Sequence, residues 1–363
     1  MNVQTISSRK IRVMIVDDSA VIRAILDKML KDDDNIVVCG YAGDGVQAVK
    51  NISLCKPDII LLDIEMPVMD GLTAIPHLLK EKPDVKILMC STLSERGADT
   101  SIKALSLGAA DCILKPSGAT AIKENGDFHT NLLRIVSTIG QSNIKKTTAP
   151  TTVTLREGII SQPPSVVAIG SSTGGPNALA TVLSGLKNLP VPIVITQHMP
   201  KTFTRILAAH LAQTTGVNCI EAEEGTILQP ECAYIAPGGF HMVFRRDTQG
   251  IKVHLDDGPT ENFCKPAVDP MLRSLVNIYG DKILDVILTG MGDDGLEASR
   301  QVVSSGGQVI AQDAETSVVW GMPRAVANAG LCSAVLPLDE IASYIVRKCV
   351  PNNTTKSLFT GEK

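Results

Sequence analysis

Aromatic residues are scarce in this chain, with one Trp, four Tyr and six Phe among 363 residues. That scarcity argues against an aromatic-rich β-sandwich core. An excess of one charge is also missing: 34 basic groups face 38 acidic ones, for a net charge of −4. Such a balance does not advertise nucleic acid or another polyanion as a partner. No apolar run approaches the roughly 20 residues that a membrane helix needs. The polar stretch Met1 to Lys10 lacks the apolar segment of a signal peptide. The expectation is therefore a cytoplasmic protein without direct membrane insertion. Cysteine pairing is not indicated either, because the nine Cys are an odd number without a C-x-x-C motif. Several sit in aliphatic runs, as reduced, buried small hydrophobes do.

The chain does have length and aliphatic content for two domains or a little more. Its 44% hydrophobic and 20% charged residues exclude wholesale disorder. Ile11–Val16, Ile36–Cys39, Asp58–Leu62, Lys86–Cys90 and Asp111–Leu114 read as strands buried on both faces. Helical patterns such as Ala20–Leu30 and Thr100–Leu107 lie between them. Five βα units with short connections predict one doubly wound parallel sheet over residues 10–140.

Residues 141–165 are polar, Thr-rich and end in Pro163-Pro164, the composition of a linker. Within them, 153–160 has enough apolar character to dock. A second α/β domain is expected over 166–350, with Val166–Ile169, Pro192–Thr196, Ile283–Leu288 and Gln308–Ala311 as parallel strands. Cys232–Ala236, His241–Arg246 and Ile251–Leu255 are separated by Gly-rich turns and suggest a small antiparallel insert or sheet edge. Residues 351–363 form a polar tail.

Four features of the first half fall at strand carboxyl ends: Asp17-Asp18, Asp63, Ser91-Thr92 and Lys115-Pro116. In a doubly wound sheet these ends share the edge where ligands bind. A single Asp there is most often a turn or helix cap. Three together repel unless a cation such as Mg²⁺ takes their oxygens. A lysine and a hydroxyl nearby suit a phosphoryl group on a carboxylate. Ile15-Val16-Asp17-Asp18-Ser19, Leu62-Asp63-Ile64-Glu65-Met66-Pro67 and Leu114-Lys115-Pro116 resemble the response-regulator receiver domain. That resemblance implies Asp63 as phospho-acceptor, Mg²⁺ on Asp17, Asp18 and Asp63, and Ser91 and Lys115 against the phosphoryl group.

In the second half, Gly170-Ser171-Ser172-Thr173-Gly174-Gly175 follows a strand and opens a helix. It matches G-x-S-x-G, which lifts a serine hydroxyl out of a sharp turn. Glycine-rich turns also cradle phosphates, but no Gly-Lys-Ser/Thr is present and no acid lies about 20 residues on. Of six His, only His198 ends a parallel strand of this half and so shares an edge with Ser172. Asp293 and Asp294 close another strand, and spacing does not separate helix cap from orienting acid. The order Ser, His, Asp disfavours the α/β-hydrolase fold.

A receiver, a linker, then Gly-Ser-Ser-Thr-Gly-Gly, Gln-His-Met-Pro and Leu-Thr-Gly-Met-Gly-x-Asp-Gly resemble the chemotaxis protein-glutamate methylesterases, the CheB family. The resemblance implies Ser172 as nucleophile, His198 as base and Asp294 as orienting acid, with Thr173 and Met291 near the oxyanion. It further implies hydrolysis of glutamyl methyl esters on chemoreceptors, deamidation of receptor glutamines, a chemotaxis histidine kinase as phosphodonor, and no cofactor in the esterase domain. The family often has Asn where this chain has Asp293.

Overall fold

The computed structural model describes residues 9–92, 95–115, 126–145, 154–156 and 162–350. Pro116, the 351–363 tail and most of the 153–160 segment lie outside these residues. The chain divides into two compact units, Met1–Ala149 and Pro150–Lys363.

In the first unit, β1 (Ile11–Val16), β2 (Ile36–Ala42), β3 (Ile59–Asp63), β4 (Lys86–Thr92) and β5 (Asp111–Lys115) form one sheet in the order β2-β1-β3-β4-β5. Every pairing is parallel. The apolar runs are continuous because helices cover both faces, so burial does not alternate along β3. The order reverses at β1, and the carboxyl ends of β1 and β3 open a crevice at that switch point. Asp17 and Asp63 sit there. Ser91 and Thr92, placed after the fourth strand by the sequence pattern, belong to β4 itself. The helix Gly126–Lys145 continues through 141–145, where composition alone suggested linker.

In the second unit, seven parallel strands run in the order β14-β13-β12-β6-β7-β9-β8. They are β6 (Val166–Ser171), β7 (Ile193–Gln197), β8 (Asn218–Glu221), β9 (Cys232–Ile235), β12 (Ile283–Ile287), β13 (Gln308–Gln312) and β14 (Cys332–Leu336). Strands β10 (His241–Asp247) and β11 (Gly250–Asp256) make a separate antiparallel pair.

Strand β9 does not belong with that pair. It lies between β7 and β8 with all four residues buried, as an internal parallel strand requires. Strand β10 fades from buried to exposed along its length. The peripheral strands β8 and β14 carry no long aliphatic run in the sequence, because they are short and only partly buried.

The helix Val268–Tyr279 buries Met271, Leu272 and Leu275 in a cluster with Phe244 and Val253 of the hairpin. Each such side chain contributes about 1.5–3 kcal/mol of burial. Ser274 Oγ also accepts a hydrogen bond from Phe244 N at 3.1 Å, so the hairpin and this helix are tied together. The described part of the linker reaches β14, where Arg156 N donates to Cys332 O at 2.8 Å.

Candidate functional site

The switch point of the second sheet lies between β12 and β6, and Ser172 follows β6 directly. Its N–H donates to Thr289 O at 3.0 Å, across to the turn that follows β12. Close approach is enforced at Gly290, where a Cβ would come within 2.9 Å of Ser172 Cβ. Gly174 has φ 79°, a left-handed conformation that glycine adopts without steric cost as the chain turns into the helix Gly175–Ser184.

His198 follows β7, and Ser171 pairs with Gln197 in the sheet register. Gln197 staples the two strand ends. Its Oε1 accepts from Ser171 Oγ at 2.7 Å, and its Nε2 donates to Ser172 O at 3.0 Å. His198 N donates to Ser171 O at 3.1 Å. Sheet pairing thus sets Ser172 and His198 side by side.

The carboxylate that meets His198 comes from the β12 edge. His198 Nε2 lies 2.7 Å from Asp294 Oδ2. Asp293 is exposed and Asp294 is buried, so Asp294 is the one that meets the ring. The same carboxylate accepts from Val268 N at 2.6 Å, Asp269 N at 3.2 Å, Gly295 N at 2.9 Å and Asn262 Nδ2 at 2.7 Å. The helix Val268–Tyr279 has Ala267 at its N-cap and no local side-chain cap. Asp294 supplies that acceptor from a distant segment.

Burial raises the Asp294 pKa, but the His198 ring and these N–H donors outweigh it and hold the carboxyl below its ordinary value. For His198, burial pulls the pKa down. Contacts with Asp294 and Cys264 overcome it and push the ring up to about 10. Cys264 Sγ lies 3.4 Å from His198 Nδ1. Among the described residues, the ring's hydrogen-bond partners are Asp294 and Cys264 rather than Ser172 Oγ. Thr173 is buried and Met291 half-buried, each one residue beyond Ser172 or Gly290.

The other histidines serve different ends. His241 is buried, with Nδ1 accepting from Ala267 N at 3.1 Å and Nε2 facing Pro259 O at 2.8 Å. His254 sits opposite Val243 in the hairpin and faces Glu224.

In the first unit, Lys115 Nζ donates to Asp63 Oδ1 at 2.8 Å and Asp17 Oδ2 at 3.1 Å. Asp17 and Lys115 are buried, while Asp18 is exposed. Carboxylate oxygens of Asp17, Asp18 and Asp63 come within 4.8 Å of one another. This all-oxygen set suits a hard divalent cation. Burial raises the Asp63 pKa against the pull of Lys115. Burial lowers the Lys115 pKa, and Cys90, Asp63 and Asp17 more than reverse that. The buried Ser91 has its hydroxyl 3.3 Å from Gly97 O. Ser19 takes the capping role, accepting from Ile22 N at the start of the helix Ala20–Leu30. An open pocket of about 550 Å³ beside Asp18 is lined by Ile64, Glu65, Met66 and Asp70, among others.

Gln197, Asn262 and Cys264 were not singled out by sequence reasoning. Gln197 stood next to His198 in the quoted motif. Asn262 and Cys264 come from a turn with no motif of its own.

Residues 13–125 match the response regulator receiver domain, and residues 167–345 match the CheB methylesterase domain. A relative from Azospirillum brasilense, named protein-glutamate methylesterase/protein-glutamine glutaminase, is 50% identical over 363 residues, covering 92% of this chain and 92% of the relative. Another of that name, numbered 1, from Paramagnetospirillum magneticum is 46% identical over 365 residues, covering 93% and 96%. The CheB methylesterase catalytic domain of Thermotoga maritima is 42% identical, covering 52% of this chain and 98% of its own, with a TM-score of 0.49.

Proposed function

Because the chain belongs to the CheB family of protein-glutamate methylesterases/protein-glutamine glutaminases, we propose that Ser172, His198 and Asp294 carry its hydrolytic chemistry. The protein is a receiver-regulated hydrolase that demethylates and deamidates in chemotactic signalling. The observation that carries the site assignment is the 2.7 Å contact between His198 and the buried Asp294, at the sheet edge where Ser172 emerges.

Ser172 Oγ attacks the carbonyl carbon of a glutamyl γ-methyl ester, and its proton passes to the imidazole. The C–O bond to the methoxy group then breaks, and His198 returns the proton so that methanol leaves. Water, deprotonated by His198, attacks the acyl-enzyme to release glutamate and restore Ser172. A glutamine substrate follows the same path with ammonia as leaving group. Asp294 stays ionised, holding the ring and balancing its positive charge. Thr173 and Met291, flanking the site on the two turns, are assigned to the oxyanion.

The substrates are methylated chemoreceptor helices, which places the reaction in the cytoplasm. The proposed domain limits are 10–140 for the receiver, 141–165 for the linker, 166–350 for the esterase and 351–363 for the tail, with the last receiver helix running on to Lys145. In the receiver, Asp63 accepts phosphate from a chemotaxis histidine kinase. Asp17, Asp18 and Asp63 would hold Mg²⁺, which supplies charge neutralisation for phosphoryl transfer. Lys115 and Ser91 hold the phosphoryl oxygens.

Methanol release from methylated receptor tests the reading. Ser172→Ala abolishes release while leaving phosphorylation of Asp63 intact. Retained release would sink the assignment.

A further inference from the structure

Asn262 lies outside every motif that identified the site. Glu261 and Cys264 exchange backbone hydrogen bonds, N to O, at 3.1 and 2.8 Å, which closes a two-residue turn around Asn262 and Phe263. Both central residues are left-handed, with φ of 50° and 61°. A turn of this kind accepts Asn at its first position but favours Gly at the second. A phenylalanine there is strained, and the ring of Phe263 is fully exposed, so no packing among the described residues offsets the strain. The conformation does achieve the placement of the neighbouring side chains.

The turn sends the Asn262 amide inward, although the residue itself is exposed. Nδ2 donates to Asp294 Oδ1 at 2.7 Å and to Asp269 Oδ2 at 2.9 Å. Asp269 and Asp294 are both buried, and like charges so close disfavour their joint ionisation. The remaining Asp269 oxygen, Oδ1, accepts from Ala298 N at 2.8 Å. One amide with two hydrogens therefore bridges the two carboxylates. The turn is fixed from outside as well. Arg273 makes a two-pronged ion pair with Glu261 at 2.9 and 2.6 Å, and His241 ties Pro259 and Ala267 together on either side.

We propose that Asn262 is a positioning residue for the esterase reaction, clamping Asp294 in the orientation that meets His198 and keeping it ionised beside Asp269. The inference rests on the Ser172–His198–Asp294 reading. Charged or titratable groups around the clamp are His198, Asp269, Arg273 and, on the far side of the ring, Cys264. Without the amide, Asp294 loses a donor to its charged form and becomes the more basic partner of His198. Both changes move the acid-side limb of activity toward higher pH.

The test compares the full-length wild type, Asn262→Ala, Asn262→Asp and Ser172→Ala, on methylated receptor and on a small activated phenyl ester, across pH. Active sites are titrated with a serine-directed phosphonate. Asn262→Ala is expected to lower kcat about tenfold per titrated site on both substrates, the order expected for one hydrogen bond to a charge, with KM unchanged. Its acid limb moves to higher pH, and Asn262→Asp, which adds a third carboxyl, moves it further. A loss that appears only as fewer titratable sites, or a limb that stays in place, overturns the proposal. Activity surviving in Ser172→Ala would instead overturn the reading beneath it, whatever Asn262→Ala does.

Discussion

His198 Nε2 and Val268 N meet the same oxygen of Asp294, at 2.7 and 2.6 Å. The proposed orienting acid is thus also the missing cap of the helix Val268–Tyr279. Activity and local stability are coupled through one buried carboxylate.

Asp294→Ala should therefore do two kinds of damage. Turnover per folded molecule falls by about 10³-fold or more, as when the orienting acid of a serine hydrolase is lost. Stability falls by about 1–3 kcal/mol, because the first N–H groups of that helix and Asn262 lose their acceptor. Denaturant melts alongside methanol release separate the two, and an unchanged melt would refute the capping role.

The raised His198 pKa sets a pH dependence. As the proposed base, the ring accepts the Ser172 proton only when neutral, so activity should fall as pH drops through its pKa. With that pKa pushed up to about 10, kcat/KM keeps rising above pH 7 rather than levelling near the ordinary value of about 6.5. Cys264→Ala removes one of the contacts that raise it, and its limb should lie at lower pH than that of the wild type.

In the receiver, Asp63→Asn should abolish incorporation of label from a small phosphodonor, and with it any activation of methanol release. The unphosphorylated rate stays at the wild-type level. Chelating Mg²⁺ should prevent labelling of the unaltered chain, since Asp17, Asp18 and Asp63 then repel the incoming phosphoryl group. Label persisting in Asp63→Asn would place the acceptor elsewhere.

Asp285, in the middle of β12, is fully buried. Its Oδ2 accepts from Ser299 Oγ at 2.6 Å, while Oδ1 has no partner among the described residues. Burial raises its pKa from 3.8 to about 7. The folded state then holds a proton that the unfolded chain releases, so this group costs stability as pH rises from about 4 to about 7. Asp285→Asn should gain on the wild type across that window and hold its advantage above it. Melting curves at pH 5 and pH 8 decide the matter, and an equal difference at both would refute it.

Much of this was legible in the amino-acid order. Parallel strands announced themselves as unbroken aliphatic runs, because sheets covered on both faces admit no alternation. Asp17 could be grouped with Asp63, and Ser172 with His198, from sequence alone, since within each sheet the carboxyl ends of parallel strands share one edge. What spacing left open was settled by distant contacts. Asp294 meets His198 across 96 residues, and Cys264 meets it across 66. Asp293 and Asp294 differ by one position, and only the direction of the turn after β12 buries one and exposes the other. Asn262 and Cys264 lie in a short turn with no periodicity to reveal them. Strand order and turn geometry are properties of the packed chain, and so the placement of Ser172 and His198 at one sheet edge was readable from the sequence, whereas the partners of Asp294 were decided by the tertiary structure.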